Sequence, residues 1–372
     1  MKLENFLSCD LSIQISIFGM IYLFLLLISY SIYAYFSFKS YNLFKVLAKQ
    51  VIFFDFTTYQ SLSNINCRDR GELRPFKYVC NAIRKKFSYD RPKMTSFVHL
   101  KMMEFRNSVR DAESLANIDF LEKSILCAVI YRRQYVDFNQ YQQNHNQQYH
   151  SELGEIKQKY KNNHYLPEVF YFHNGLRFAS DKIKQYIKER DILDIGSYNG
   201  DSCTVLKDYT NLKIYSYDIS QKNIDKYLKH MKLNNIPSDK YEMIRMGISD
   251  KVGQIGINSC NNAGCSVSSK GNEIINLTTI DIEVKNRNMK VGFIKADVEG
   301  VGLDVVKGGI ETFKSQKPVV EIAIYHSFEE LFGIFDFLKN EIGGYIFEFH
   351  SENMNIASAG EIALFAYPSS LI

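Results

Sequence analysis

The chain has 372 residues, enough for one domain or two. Its 46% hydrophobic and 23% charged content is that of a globular protein and excludes a disordered one. A net charge of +4, with lysines and arginines scattered, gives no basis for a nucleic-acid surface, and no nucleic-acid partner is expected.

Leu11 to Phe38 contains no charged residue. As a helix it would extend about 40 Å at 1.5 Å per residue, more than a bilayer core of roughly 30 Å. Tyr30, Tyr33 and Tyr35 sit near its end, as an interfacial aromatic belt would. The run is too long, and too bulky at its end, for a cleaved signal peptide. Residues 1–39 are therefore expected to be a single-pass membrane anchor. Lys39, Lys45 and Lys49 follow it, which places the rest of the chain in the cytoplasm. Seven cysteines, with no C-x-x-C, suit free thiols in a reducing compartment. Cys260 and Cys265, in a Ser/Asn/Gly-rich loop, find no partners for a metal or redox site, and no metal site is assigned.

Residues 40–165 read as a helical accessory region. Leu115 to Tyr135 has apolar residues at helical spacing, and Glu104–Asp119 and Glu152–Tyr160 look helical and charged. Asn139 to His150, rich in Gln, Asn and Tyr, reads as a polar linker. Its His145 and His150 are expected to be solvated. Arg84–Lys86 and Arg132–Arg133 read as solvated helix faces.

From Leu166 short apolar strands alternate with amphipathic helices, the pattern of an α/β sheet. Strands are predicted at 191–195, 212–217, 241–246, 291–297, 318–325, 344–349 and 361–367. Helices are predicted at 180–188, 201–208, 220–233, 301–314 and 327–340, with a hairpin inside Gln254–Thr279. The last two strands are too close for a crossover helix and should pair antiparallel. DILDIGSYNGDS, Asp191 to Ser202, is a strand running into a glycine turn at Gly196 and Gly200. It lacks the three glycines of G-x-G-x-x-G, which suit a pyrophosphate. Asp194 before a tight turn suits a ligand with a cationic amino-acid end, as S-adenosylmethionine has. The bland alternative is an ordinary β-to-α turn. Asp218 ends the next strand, roughly 20 residues on, where an acid can hold both hydroxyls of a ribose.

Gly247 to Asp250, GISD, either borders a nucleotide base or is a turn. FIKADVEG, Phe293 to Gly300, brings Asp297 and Glu299 to a strand's carboxyl end beside Lys295. Alternation puts the three on one face if the strand persists. Such a pair can take a proton from a hydroxyl or hold a divalent cation. Glu299 can instead cap the helix that follows. VVEIAIYHS adds Glu321, which needs a partner or a site to face, with Tyr325 and His326. His326 stands where a general base could, or is structural.

These segments, with YSYDIS, FIKADVEGVGLDVVKGG and the closing SAGEIALFAYP, resemble the FkbM family of methyltransferases over roughly Pro167 to Pro368. The resemblance implies a class I methyltransferase domain at 166–372: a Rossmann-like α/β fold with a seven-stranded sheet and an antiparallel last strand. It implies an S-adenosylmethionine-dependent O-methyltransferase acting on a small-molecule or glycan hydroxyl, often a sugar's. Asp194, Gly196, Ser197 and Gly200 would hold the methionine end, Asp218 and Ile219 the ribose, and Asp250 the adenine side. Asp297 with Glu299 or His326 would face the acceptor. Gly302 departs from the family run, where an acid stands. Two rivals are a nicotinamide-dependent sugar enzyme, lacking here its Tyr-x-x-x-Lys pair, and a non-catalytic scaffold on the membrane.

Overall fold

The computed structural model describes residues 77–372, apart from 136, 258–272 and 353–360, together with the short strand Cys67–Arg68. The expected membrane helix at Leu11–Phe38, and Cys260 with Cys265, lie outside the described residues. Among the described residues no helix is long and apolar enough to cross a membrane.

Strands β1 (Cys67–Arg68) and β2 (Gln134–Tyr135) form a small antiparallel pair. The main sheet has seven strands: β3 (Asp191–Ile195), β4 (Ile214–Tyr217), β5 (Tyr241–Ile244), β9 (Val291–Ala296), β10 (Val319–Ala323), β11 (Tyr345–His350) and β12 (Ala363–Pro368). Their order is β11-β12-β10-β9-β3-β4-β5. Neighbours from β10 to β5 run parallel, and β12 is inserted antiparallel between β10 and β11. All seven sequence-predicted strands are present, with the predicted antiparallel pair. Every residue of β3, β9 and β10 is buried, as parallel strands covered on both faces must be. A second sheet joins β6 (Gly247–Ile248), β7 (Gly253–Ile257) and β8 (Glu273–Thr278), and β7 with β8 is the expected hairpin.

The helices preceding the sheet are α1 (Lys77–Lys86), α2 (Arg91–Arg106), α3 (Ala112–Leu126), α4 (Gln140–Lys159) and α5 (Pro167–Phe170). The polar stretch from Asn139 is helix rather than linker. Asn139 Oδ1 accepts from the Gln142 amide at 2.9 Å, and Gln142 Oε1 accepts from the Asn139 amide at 2.9 Å, a reciprocal capping box. Gln142, Tyr149 and Ile156 form its narrow buried stripe. His145 is not solvated: it lies 3.1 Å from both the Tyr171 hydroxyl and Glu113. Arg84 is likewise buried, with Nε donating to the Val129 carbonyl at 3.2 Å. The helix expected across Glu104–Asp119 is broken, because Asp111 caps a new one through the Ser114 amide at 2.6 Å.

Within the sheet region lie α6 (Asp181–Lys188), α7 (Asp201–Leu206), α8 (Gln221–Leu233), α9 (Ile280–Arg287), α10 (Gly302–Lys307) and α11 (Ile310–Gln316). The helix predicted for 301–314 is thus two, parted at Gly308, where a Cβ would lie 2.0 Å from the Ser249 carbonyl oxygen. The predicted 327–340 helix is largely π-helical, over Glu329–Ile334 and Leu338–Ile342. One face of the sheet packs Ile187, Ile192, Leu206, Tyr227, Met231, Phe293 and Val319 into a core.

The early helices share that fold. Phe105 of α2 is fully buried, 4.7 Å from the Phe349 ring of β11 and 4.8 Å from Phe335. Ser114 Oγ accepts from the Phe349 amide and Asn117 Nδ2 donates to its carbonyl, both at 2.9 Å. Polar side chains of α3 therefore complete the main chain of an edge strand. Phe105→Ala is expected to cost about 3–5 kcal/mol, the range for removing a buried phenyl ring. Denaturant unfolding followed by far-UV and near-UV signals should show one shared transition at lower midpoint. Two separate transitions would mean that the helices and the sheet unfold independently.

Candidate active site

A row of polar side chains crosses the middle of the sheet. In register, Ser216 on β4 stands beside Asp194 on β3, then Lys295 on β9, then Glu321 on β10. Lys295 is 7% exposed and Asp194 fully buried. Lys295 Nζ donates to the Gly196 carbonyl at 2.9 Å and lies 3.7 Å from Asp194 Oδ1. Burial works against the ammonium, but Asp194, Asp297, Glu321 and Asp201 outweigh it and hold Lys295 above its usual range. Asp194 is raised, because burial costs it more than its one cation returns. We take Lys295 as charged, since several carboxylates share it.

Above this row lies a cleft of about 220 Å³ at the carboxyl ends of β3, β9 and β10. Gly196, with φ +80°, brings the end of β3 against the start of the β9 loop: a Cβ there would sit 1.9 Å from the Asp297 carbonyl oxygen. No other residue fits. Gly200 is also left-handed and opens α7 against Tyr227 and Met231. Between them Tyr198 turns its amide onto Asp218 Oδ2 at 3.0 Å. Asp218 Oδ1 accepts from the Ser220 amide at 2.7 Å, and Asn223 Nδ2 approaches at 3.3 Å. One carboxylate thus fixes both the glycine turn and the start of α8. Burial raises it despite these donors.

Gly196, Asp218, Lys295, Asp297 and Glu299 line the cleft, as do Tyr198, Tyr325 and Glu321. Other sequence-predicted residues stand off. Asp194 lies beneath the floor. Ser197 is buried with Oγ donating to the Tyr217 carbonyl at 3.4 Å. The Ile219 carbonyl accepts from Arg245 Nε at 3.4 Å. Gly200 acts through the turn. Asp250 is exposed and meets Ser249 Oγ at 3.3 Å, in a turn that belongs to the second sheet rather than the cleft.

β9 ends at Ala296, so alternation does not carry through to Glu299, which adopts φ +54°. Asp297 still faces the cleft, and its Oδ1 makes no hydrogen bond. His326 stands behind it, Nε2 at 3.5 Å from Asp297 and 3.8 Å from Glu299. A residue that the sequence did not suggest organises both. Glu330 is fully buried. Its Oε1 accepts from the amides of Gly300 at 3.0 Å and Gly302 at 2.8 Å. Its Oε2 accepts from the His326 amide and lies 3.2 Å from His326 Nδ1. A Cβ on residue 302 would meet Oε1 at 2.9 Å, so Gly302 makes room for this carboxylate. The i, i+4 spacing of His326 and Glu330 was the available signal.

Burial alone would lower the His326 pKa, but Glu330, Asp297 and Glu299 overcome it and raise it to about 9. A cation here is stabilised by folding. Its contribution is full below the ordinary value of 6.5 and is lost as pH rises through about 9. His326→Gln should therefore destabilise the fold by on the order of 3 kcal/mol near pH 6, from a shift of that size. The gap from wild type should close above about pH 9 in pH-resolved denaturant titrations. A gap independent of pH would mean that the imidazole is neutral in the folded protein.

The methyltransferase FkbM domain profile matches residues 194–350. Among solved structures, methyltransferase FkbM from Methylobacillus flagellatus KT superposes with TM-score 0.50 at 14% identity, over 72% of this chain and 58% of that one. This chain thus spans little more than half of that relative. An O-methyltransferase from Bacillus cereus, in complex with SAH, gives TM-score 0.36 at 13% identity, over 59% and 90% of the two chains. An rRNA methylase from Streptococcus thermophilus gives 0.32 at 11%, over 50% and 92%. Only the first of these likenesses bears on the fold. No curated protein matches the sequence. Residues 194–350 thus match a methyltransferase FkbM domain, and the likeness to the Methylobacillus protein is one of fold.

Proposed function

From that domain match, we propose that this chain binds S-adenosylmethionine and moves its methyl group onto a hydroxyl of a small acceptor, a sugar of a glycan or a lipid-linked saccharide. One observation carries the reading. The glycine turn, the Asp218 carboxylate and the half-exposed Asp297 side chain converge on one cleft over the strand ends. The fit to the donor is chemical. The turn admits close backbone approach, and acidic rather than basic groups surround it, which suits a ligand carrying a sulfonium and an ammonium but no phosphate. Gly196 and the Tyr198 segment would hold the methionine end, and Asp218 the ribose.

The bound donor supplies a methyl already activated for displacement. The chain's own residues then need to align the acceptor oxygen, exclude water and receive one proton. Asp297 is the base that this geometry favours: its side chain is half-exposed in the cleft, while its buried Oδ1 faces His326 Nε2 at 3.5 Å. As the O–CH3 bond forms and the S–CH3 bond breaks, the hydroxyl proton passes to the Asp297 carboxylate. His326 already holds its proton at neutral pH, so it steadies Asp297 rather than acting as base. Glu299 stands at the rim.

Asp218→Ala should weaken S-adenosylhomocysteine binding about 10- to 100-fold, the worth of a charge-assisted hydrogen bond, with secondary structure retained. Isothermal titration measures this, and unchanged affinity would remove Asp218 from the donor site. A pure scaffold would show no affinity in the wild type either.

We also propose that residues 1–39 tether the domain to the cytoplasmic face of a membrane. The support is the uncharged run Leu11–Phe38 with the lysines after it. The full chain should pellet with membranes, resist alkaline salt and yield to detergent. A chain beginning at residue 40 should not pellet. Release of the full chain by salt alone would argue against a spanning helix.

A further inference from the structure

The cleft has an inner wall that the donor reading leaves unused. It is built by Glu168 of α5, Asp201 at the start of α7, Glu321 on β10, and Glu352 and Glu361 from the segment between β11 and β12. Asp201, Glu321 and Glu352 are 5%, 6% and 4% exposed. Glu321 points into the cleft and makes no hydrogen bond among the described residues. Its register neighbour Lys295 is already committed to the Gly196 carbonyl and Asp194. Glu352 Oε1 lies 3.4 Å from His350 Nδ1 without a hydrogen bond, and that imidazole also holds Glu348 at 3.1 Å.

A buried carboxyl without a hydrogen bond is expensive: Glu321 has none, and Glu352 Oε1 has only its ion pair with His350. Burial, with repulsion from Glu361, Glu352 and Asp201, pushes Glu168 well above its usual range, and burial pushes Asp201 up to about 6. Such a wall repels anions and rewards a cation with several donors. A protonated amine, with several donors on one centre, is a complement to such a wall.

We propose that this inner wall is the acceptor subsite and that it holds a protonated amine beside the reacting hydroxyl. The acceptor class is then an amino alcohol, such as an amino sugar, and not a phosphorylated or carboxylated sugar. This rests on the donor reading above. An ammonium offers three donors, and charge-assisted hydrogen bonds would satisfy Glu321 and supply the hydrogen bond that Glu352 Oε1 lacks.

The test uses the full chain saturated with S-adenosylhomocysteine and titrated at neutral pH with D-glucosamine, D-glucose and D-glucosamine 6-phosphate. Glucosamine should bind at least about tenfold more tightly than glucose, as expected of charge-assisted over neutral hydrogen bonds, and more tightly than its phosphate. Glu321→Gln and Glu352→Gln, which keep shape and lose charge, should each reduce that preference at least about threefold with S-adenosylhomocysteine affinity intact. No preference for the amine, including no binding of either sugar, overturns the proposal. So does a loss of S-adenosylhomocysteine affinity in both variants, which would give the wall to the donor. If the wild type fails to bind S-adenosylhomocysteine at all, the donor reading falls first and takes this inference with it.

Discussion

The buried ammonium of Lys295 is the constraint on which the cleft depends. It is the cation in a row of buried acids, and it donates to the carbonyl that begins the glycine turn. Removing one member of a buried ionic set leaves the others uncompensated, at a cost near 3–5 kcal/mol, well above the net worth of the intact set. The same ammonium anchors the Gly196 peptide in the one orientation that lets the Asp297 carbonyl pass against it. Electrostatics in the floor thus sets backbone geometry in the walls.

The fold was largely legible because its signals are periodic. Seven apolar runs, each bounded by turn residues, marked the strands, and the short gap before β12 forced an antiparallel partner. Asn139–Lys159 was missed because its buried stripe contains a glutamine and is too narrow to stand out against a polar surface. Its helix is declared by a capping box that composition does not weigh. The break at Asn107–Asp111 was hidden by helical residues on both sides, with Asp111 as the cap that reveals it.

The site was legible in part. Glycines with positive φ and acids at strand ends can be seen as spacing, and of the residues so picked out Gly196, Asp218 and Asp297 line the cleft. Alternation failed past Ala296, where the chain leaves the strand and Glu299 turns left-handed. Glu330 was missed because two of its three partners, the amides of Gly300 and Gly302, are distant in sequence, and because its space comes from the missing side chain at Gly302. His326 changes meaning for the same reason: beside Glu330 it is a held cation rather than a free base. Glu168 is far in sequence from Glu352 and Glu361, so these wall acids come together only in the fold.

The capping of Phe349 by Ser114 and Asn117 bears on how copies of this chain behave when crowded. A sheet grows by recruiting an extended segment onto an open flank, and recruitment needs vacant amides and carbonyls in sequence. In the centre of β11 both groups are already engaged by a helix. An intruding peptide there would have to break two bonds before making any, so stacking from this side of the sheet starts at a loss.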